Sequence, residues 1–186
     1  MVEKLTLDWK EVQGMCGRIA RDLTIDNWRP DYVVGLTRGG LAPAVLLSHY
    51  FNVPMHALKV SLRDGGDDGD CESNLWMAED AFGYVPQEEQ EVYKSRWDPK
   101  RRKNILIVDD INDSGATIAW IKQDWQAGCM PGQETAWSTV WGTNVRVAVL
   151  VENLSSTEMS DYSAMEVNKA EKNVWLDFPW EDWWEK

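Results

Sequence analysis

The chain has 186 residues, 44% hydrophobic and 27% charged, which is enough to bury the core of a single globular domain. Its net charge of −12 argues against a general nucleic-acid surface, because phosphate backbones are bound by clustered Lys and Arg. No apolar run reaches the ~18 residues of a membrane span, and the charged N-terminus does not resemble a signal peptide. Three scattered cysteines without metal-ligand spacing favour a reducing compartment. We therefore expect a cytoplasmic protein that binds neither nucleic acid nor a membrane.

The first third of the chain predicts helices alternating with strands. Asp8 is a suitable N-cap for the first helix, and Pro43 lies in the first turn of the second, where its missing N–H costs nothing. The hydrophobic spacing predicts a helix over 8–23, a strand over 31–36, a helix over 41–51 and a strand over 53–62.

Residues 63–103 show no clear hydrophobic period. They begin with the sequence RDGGDDGD, whose four aspartates and three glycines offer almost nothing to bury. A segment of this length is too long for a plain connection between two elements. We therefore expect a flexible flap or an inserted hood.

The second half of the chain returns to alternating elements. The pattern predicts a strand over 104–110, a helix over 114–128, a strand over 144–152 and a short strand within the aromatic segment 173–184. Apolar strands that alternate with helices predict an α/β domain with a mostly parallel sheet covered on both faces. Ligands of such sheets bind at the carboxyl ends of the strands. Two unusual sequences lie there, TRGG after the first strand and DDINDSGAT at the end of the strand 104–110.

The acidic strand end suits a sugar phosphate. Residues 113–117 combine two hydroxyls and small side chains with the first turn of a helix, where free N–H groups and the helix dipole favour an anion. Asp109 and Asp110, directly upstream, suit sugar hydroxyls or a hydrated magnesium ion, because hard oxygen ligands prefer hard cations. The pattern predicts a phosphate in the turn and a diol on the two aspartates.

The string ILIVDDINDSGATI resembles the phosphoribosyl-pyrophosphate (PRPP) signature of type I phosphoribosyltransferases, two acidic residues followed by D-[ST]-G-x-T. The resemblance implies that family's fold, a mostly parallel central sheet flanked by helices with a variable hood. It implies that Asp109 and Asp110 hold the ribose hydroxyls and Mg²⁺, and that Asp113 is the candidate general base. It also implies that the ribose 5-phosphate is bound by Asp113, Ser114, Gly115, Ala116 and Thr117.

The TRGG turn resembles the pyrophosphate loop of the same family. Paired glycines let a backbone approach a ligand closely, and Arg38 offers a planar fork for phosphate oxygens. The resemblance implies that Thr37, Arg38, Gly39 and Gly40 bind PRPP, with Arg38 assisting catalysis. In the family the peptide before the basic residue is often a non-proline cis bond, which we expect at Thr37–Arg38.

The C-terminal sequence WLDFPWE resembles the base-binding segment of bacterial xanthine-guanine and archaeal hypoxanthine-guanine phosphoribosyltransferases. The resemblance implies that Trp175 stacks on a purine and that Leu176 offers backbone groups to the base edge. Glu181 would face the base or a second magnesium ion. Residues 173–186 would therefore form an aromatic base-binding segment.

One position departs from that subgroup. Its strand corresponding to VRVAVLVEN usually ends in a lysine followed by proline, and the lysine contacts the purine 6-oxo group; here Glu152 and Asn153 stand in these positions. A carboxylate cannot donate a hydrogen bond to a carbonyl oxygen. Glu152 would therefore disfavour 6-oxopurines, unless it turns away from the base, or Lys169 or Lys172 supplies the missing charge.

The expectation is a single-domain, magnesium-dependent phosphoribosyltransferase of purine salvage, assembled as a homodimer or homotetramer. It would transfer the 5-phosphoribosyl group from PRPP to a nucleobase and release pyrophosphate. The alternative is a regulatory protein that uses the same fold to sense PRPP or a nucleotide without catalysis. Turnover of PRPP separates the two.

Overall fold

The computed structural model describes residues 2–60, 62 and 71–185. None of the helices in these ranges combines the length and the apolar character that crossing a membrane requires. In chain order the helices and strands are β1 (Glu3–Thr6), α1 (Trp9–Ile25), β2 (Tyr32–Thr37), α2 (Leu41–Phe51), β3 (Met55–Lys59), α3 (Leu75–Phe82), α4 (Gln90–Tyr93), β4 (Ile105–Asn112), α5 (Ala116–Gly128), α6 (Glu134–Trp137), β5 (Val145–Asn153), β6 (Tyr162–Val167) and β7 (Val174–Asp177).

The central sheet is parallel, as the sequence predicts. Its five strands lie in the order β3-β2-β4-β5-β6, and each neighbouring pair runs in the same direction. The strands β1 and β7 form a separate parallel pair. All carboxyl ends of the central strands therefore meet at one edge.

The strand order reverses direction between β2 and β4. From β2 the chain passes through α2 to β3 on one side, whereas from β4 it passes through α5 to β5 on the other. In open α/β sheets such a reversal leaves a crevice outside the carboxyl ends of the two central strands, and ligands bind there. Topology thus selects the end of β2 and the end of β4 as the place for a site.

Two hydrophobic clusters cover the two faces of the sheet, and both include side chains of β4. Leu106 and Val108 pack on one face with buried residues of α1 and α2, including Leu47. Ile105 and Ile107 pack on the other face with buried residues of α3 and α5. Burial on both faces explains why β4 begins as an uninterrupted apolar run.

A helix occupies part of the segment in which the sequence shows no period. Met77, Ala78, Ala81 and Phe82 of α3 are buried against the sheet. The eight residues of α3 are too few to show a repeating pattern. In addition, Leu75 and Trp76 are hydrophobic but exposed, so the sequence does not distinguish the buried face of the helix from its solvent face. Residues 63–70 lie outside the described residues, so a flexible flap there remains a prediction.

Other boundaries also differ from the sequence prediction. The pattern does not predict β1 or β6, since most of their side chains are exposed or half-buried. The strand predicted over 53–62 is shorter and covers only Met55–Lys59. In contrast, β4 continues to Asn112, two residues beyond the predicted end at 110.

The three cysteines are free thiols. Burial raises the pKa of Cys16 to about 12 and that of Cys129 to about 12. Both thiols therefore stay protonated at neutral pH, and they act as small core side chains rather than as nucleophiles.

Candidate active site

The first part of the site is the turn between β2 and α2. The peptide Thr37–Arg38 is cis, which confirms the expectation from the sequence. The carbonyl oxygen of Arg38 accepts a hydrogen bond from Leu41 N at 3.2 Å, which closes the turn. The Arg38 side chain is exposed, and within the described part of the chain it forms neither a hydrogen bond nor an ion pair. Its guanidinium is available to an anionic ligand.

The two glycines of this turn let it touch the acidic end of β4. A Cβ atom placed on Gly39 would lie 1.7 Å from Asp110 Oδ2, inside the carboxylate. A Cβ atom on Gly40 would lie 2.3 Å from the carbonyl oxygen of Val108. A larger residue at position 40 would push the turn away from the backbone of β4, whereas a larger residue at position 39 would displace the Asp110 carboxylate.

The acidic pair is held by its own backbone. Asp110 N donates to Asp109 Oδ1 at 2.9 Å, and Ile111 N donates to Asp110 Oδ1 at 2.9 Å. Asp110 is 2% exposed, whereas Asp109 is half-buried. Each carboxylate thus accepts a hydrogen bond from the N–H of the next residue, which favours the observed side-chain orientation.

The donor set fits Mg²⁺ rather than a metal enclosed by protein. In residues 2–60, 62 and 71–185, no group of three or more His, Cys, Asp or Glu side chains is arranged to hold a metal ion. Mg²⁺ is commonly held by one or two carboxylates, with water and substrate phosphates completing the shell. The pair Asp109 and Asp110 matches that pattern, and the binding of Mg²⁺ there remains a prediction.

The second part of the site is the turn that precedes α5. Gly115 has φ +85° and provides no side chain to cap the helix. Ala116 N donates to Ser114 Oγ at 3.3 Å, while the other N–H groups of the first turn have no partner within the helix. Such a helix N-terminus favours an anion, and the binding of a phosphate here remains a prediction.

The loop after β5 covers this turn, which sequence reasoning missed. Thr157 N donates to the carbonyl oxygen of Ser114 at 3.0 Å, and Thr157 Oγ1 donates to the same oxygen at 2.9 Å. A Cβ atom on Gly115 would lie 2.4 Å from Glu158 N. The only signal in the sequence is a run of hydroxyl residues, which does not indicate where a loop packs.

Glu152 is placed differently from the sequence hypothesis. Its side chain is 2% exposed. Its Oε1 accepts from Asn112 Nδ2 at 2.6 Å and from Ser156 Oγ at 3.1 Å. Its Oε2 accepts from Ser160 N at 2.9 Å and from Ser160 Oγ. This placement favours the alternative in which Glu152 turns away from the base, because Asn112 on β4 and the loop after β5 supply hydrogen-bond donors to both carboxylate oxygens.

We expect Glu152→Lys to destabilise the fold instead of improving activity with guanine. An ammonium group cannot accept from the donors that surround this position, and it leaves a buried charge without a partner, which costs about 3 kcal/mol or more. The melting midpoint should fall by about 6–12 °C, as measured by differential scanning calorimetry. The control is Glu91→Lys, which makes the same charge change at an exposed position. A variant that melts like the wild type would show that Glu152 is not structural.

The two lysines considered as substitutes lie in different places. Lys169 Nζ lies 3.0 Å from Asp113 Oδ1. Lys172 forms an ion pair with Glu3 on β1. Only Lys169 therefore brings a positive charge to the carboxyl edge of the sheet.

In the C-terminal segment, Trp175 is exposed, whereas Leu176 and Glu181 make contacts within the protein. Trp175 is 60% exposed, whereas Leu176 is buried in the core on the α1 face of the sheet. Glu181 Oε2 accepts from Phe178 N at 3.3 Å, and so it braces its own turn. No hydrogen bond or ion pair within the described residues joins any of these three side chains to Asp113. Their base-binding roles remain predictions.

The comparisons with known proteins agree with this geometry. Residues 6–183 match the family model described as the phosphoribosyl transferase domain. Xanthine phosphoribosyltransferase 1 of Saccharomyces cerevisiae is 25% identical over 130 residues, which cover 62% of this chain and 57% of the yeast protein. Hypoxanthine-guanine phosphoribosyltransferase of Schizosaccharomyces pombe is 24% identical over 137 residues, covering 66% and 60%. The chain thus spans less than two thirds of either curated relative.

Solved structures show the same fold over nearly the whole chain. The Helicobacter pylori xanthine-guanine-hypoxanthine phosphoribosyltransferase superposes with a TM-score of 0.64 at 15% identity, covering 98% of this chain and 97% of that one. The purine phosphoribosyltransferase of Pyrococcus horikoshii superposes with a TM-score of 0.60 at 21% identity, covering 96% and 95%. Since the family model extends from the end of β1 to the C-terminal aromatic residues, this protein is a member of the phosphoribosyltransferase family.

Proposed function

We propose that this protein is a magnesium-dependent phosphoribosyltransferase of purine salvage, which transfers the 5-phosphoribosyl group of PRPP to a purine nitrogen and releases pyrophosphate. The observation that carries the proposal is the contact of Gly39 and Gly40 with the acidic end of β4. That contact lies where the strand order reverses. It joins a cationic turn to two carboxylates at the edge where such sheets bind ligands.

Each part of PRPP has a matching partner in this arrangement. The exposed guanidinium of Arg38 suits the pyrophosphate, because its fork pairs with phosphate oxygens. The turn before α5 suits the 5-phosphate, through the hydroxyls of Ser114 and Thr117 and the free N–H groups of the first helical turn. Asp109 and Asp110 suit the ribose hydroxyls.

Catalysis by these residues would be mainly electrostatic. As the bond between ribose C1 and the pyrophosphate oxygen breaks, positive charge develops on the sugar and negative charge on the leaving group. Arg38 would stabilise the leaving pyrophosphate, and the carboxylates would stabilise the sugar. Magnesium held by Asp109 and Asp110 would supply further positive charge to the pyrophosphate. Asp113, whose side chain is 55% exposed, would accept the proton that the base loses.

The assembly and the cellular location of the protein remain predictions. A homodimer or homotetramer is expected from the family resemblance, and light scattering of the purified chain measures it. A cytoplasmic location is expected from the cysteines, and the free state of all three thiols supports it.

The proposal is tested by incubating the protein with PRPP, Mg²⁺ and one base at a time. Release of pyrophosphate together with formation of the nucleotide, separated by chromatography, would support it. Binding of PRPP without turnover of any purine would support the alternative, a PRPP- or nucleotide-sensing protein. Failure to bind PRPP at all would refute both functions.

We expect Arg38→Ala to weaken PRPP and pyrophosphate but not ribose 5-phosphate. Loss of charge-assisted hydrogen bonds to phosphate should raise the dissociation constants of the first two by about 10- to 100-fold, as measured by calorimetry. Arg21→Ala is the control, since Arg21 is exposed and its side chain pairs with the neighbouring Asp22. Equal losses for all three ligands would mean that Arg38 supports the turn rather than the pyrophosphate.

A further inference from the structure

Two consecutive carbonyl groups of the turn before α5 are held by the end of β5 and the loop after it. The carbonyl oxygen of Asp113 accepts from Asn153 Nδ2 at 2.7 Å. The carbonyl oxygen of Ser114 accepts twice, from Thr157 N at 3.0 Å and from Thr157 Oγ1 at 2.9 Å. Asn153 is 4% exposed, and its Oδ1 accepts from Lys169 N at 3.0 Å, so its amide bridges two segments. Both carbonyl groups of the turn therefore face β5 and its loop.

The direction of these carbonyl groups sets the direction of the N–H groups on the same peptides. The peptides 113–114 and 114–115 are trans, and in a planar trans peptide the N–H and the C=O point in opposite directions. The N–H groups of Ser114 and Gly115 consequently point away from the loop. Within the described part of the chain, neither of them donates to a protein acceptor. Successive N–H groups next to a residue in the left-handed region, here Gly115 with φ +85°, form a concave site for an anion.

The loop after β5 is itself fastened to the elements on either side of it. The carbonyl oxygen of Glu158 accepts from Asn112 Nδ2 of β4 at 2.6 Å. The Glu158 carboxylate lies 2.7 Å from Lys122 Nζ of α5. Ser160 N donates to the buried carboxylate of Glu152 at 2.9 Å. A loop held at these points can fix the peptides of the turn that it contacts.

We propose that Thr157, supported by Asn153, is a positioning residue for the 5-phosphate of the substrate. By holding the two carbonyl groups, these residues orient the N–H groups of Ser114 and Gly115 toward the phosphate before it binds. The inference rests on the proposed function, because it presumes that the 5-phosphate lies in the turn before α5. Without these contacts the peptides are free to rotate and to present a carbonyl oxygen to the anion, which repels it. Donors that are oriented in advance reduce the ordering cost of binding.

The test uses Thr157→Val, which keeps the shape of an exposed side chain and removes its hydroxyl donor. We expect the dissociation constants of PRPP and ribose 5-phosphate to rise by about 10-fold, as measured by calorimetry, while that of pyrophosphate stays unchanged. Thr157→Ser keeps the donor and should bind all three ligands like the wild type. The matched control is Thr24→Val, because Thr24 is also exposed and its hydroxyl donates to the carbonyl oxygen of Ala20 in α1 at 2.7 Å.

The melting midpoint separates positioning from a general loss of structure. All three variants should melt within about 2 °C of the wild type, since the substituted side chains are exposed. Three results would overturn the inference and leave the proposed function standing: unchanged affinity of Thr157→Val for ribose 5-phosphate, an equal loss for pyrophosphate, or a Thr157→Ser variant as weak as Thr157→Val. A wild type that binds pyrophosphate but not ribose 5-phosphate would refute the inference together with the phosphate site. A wild type that binds no PRPP would refute the proposed function as well.

Discussion

Replacing Asp109 and Asp110 together by asparagine is expected to remove PRPP binding almost completely. Asn keeps the size of each side chain, so the packing of Asp110 against Gly39 is retained while two negative charges are lost. Neutral amides are poor ligands for Mg²⁺ and weak acceptors for ribose hydroxyls. Calorimetric titration of PRPP with Mg²⁺ should show a loss of affinity of at least about 100-fold.

The matched control for this variant is Glu88→Gln/Glu91→Gln. It removes the same number of charges from exposed positions in the segment before β4, so it corrects for the change in net charge. Removal of Mg²⁺ with EDTA should weaken PRPP binding to the wild type and to the control, but not to the aspartate variant. Affinity for PRPP like that of the wild type would show that the two aspartates are solvated charges, and the proposed site would be wrong.

The two glycines of the turn should respond differently to alanine: Gly40→Ala should lower the stability of the fold, and Gly39→Ala should lower the affinity for PRPP. Gly40→Ala places a Cβ atom 2.3 Å from the carbonyl oxygen of Val108, and a backbone atom of a central strand cannot move aside. We expect a loss of about 3 kcal/mol in the free energy of unfolding, measured by denaturant titration. Gly39→Ala instead meets the side chain of Asp110 at 1.7 Å, which can rotate away. That variant should stay folded and lose PRPP affinity by about 10-fold or more.

Gly17→Ala is the control for both glycine variants. Gly17 lies in α1, and a Cβ atom there would have no neighbour within 4 Å. Alanine is favoured over glycine inside a helix by roughly 1 kcal/mol, so this variant should be as stable as the wild type or more so. If Gly39→Ala and Gly40→Ala both behave like this control, the glycine turn does not depend on its contact with β4.

Local sequence determined most of the elements and the location of the site. The apolar run of β4 is long enough to predict a strand that is buried on both faces, and alternation with helices predicts a parallel sheet. Because the carboxyl ends of parallel strands meet at one edge, the positions of Arg38 and Asp110 in the sequence already predict that they lie close together. The cis peptide at Thr37–Arg38 was likewise expected from the resemblance of its turn.

Other elements depended on contacts that a sequence does not contain. The short helix α3 has a buried face because it packs against the sheet beside α5, and its own eight residues show no period. The edge strand β6 is mostly half-buried, so its hydrophobic pattern is weak. In both cases the tertiary structure decided the outcome, since burial at these positions is supplied by neighbours distant in the chain.

The charged side chains at the carboxyl ends of β4, β5 and β6 show the same difference between what the sequence and the tertiary structure determine. From the sequence, Glu152 lies at the end of a strand where a lysine is expected, but the direction of its side chain depends on Ser156 and Ser160, which fold back and surround it. The pairing of Lys169 with Asp113 depends on the parallel arrangement of β4, β5 and β6 and on the bridging amide of Asn153. Residue types fixed which charges the chain carries, whereas long-range packing decided which of them reach the site, because side-chain direction follows from neighbours and not from position in the chain.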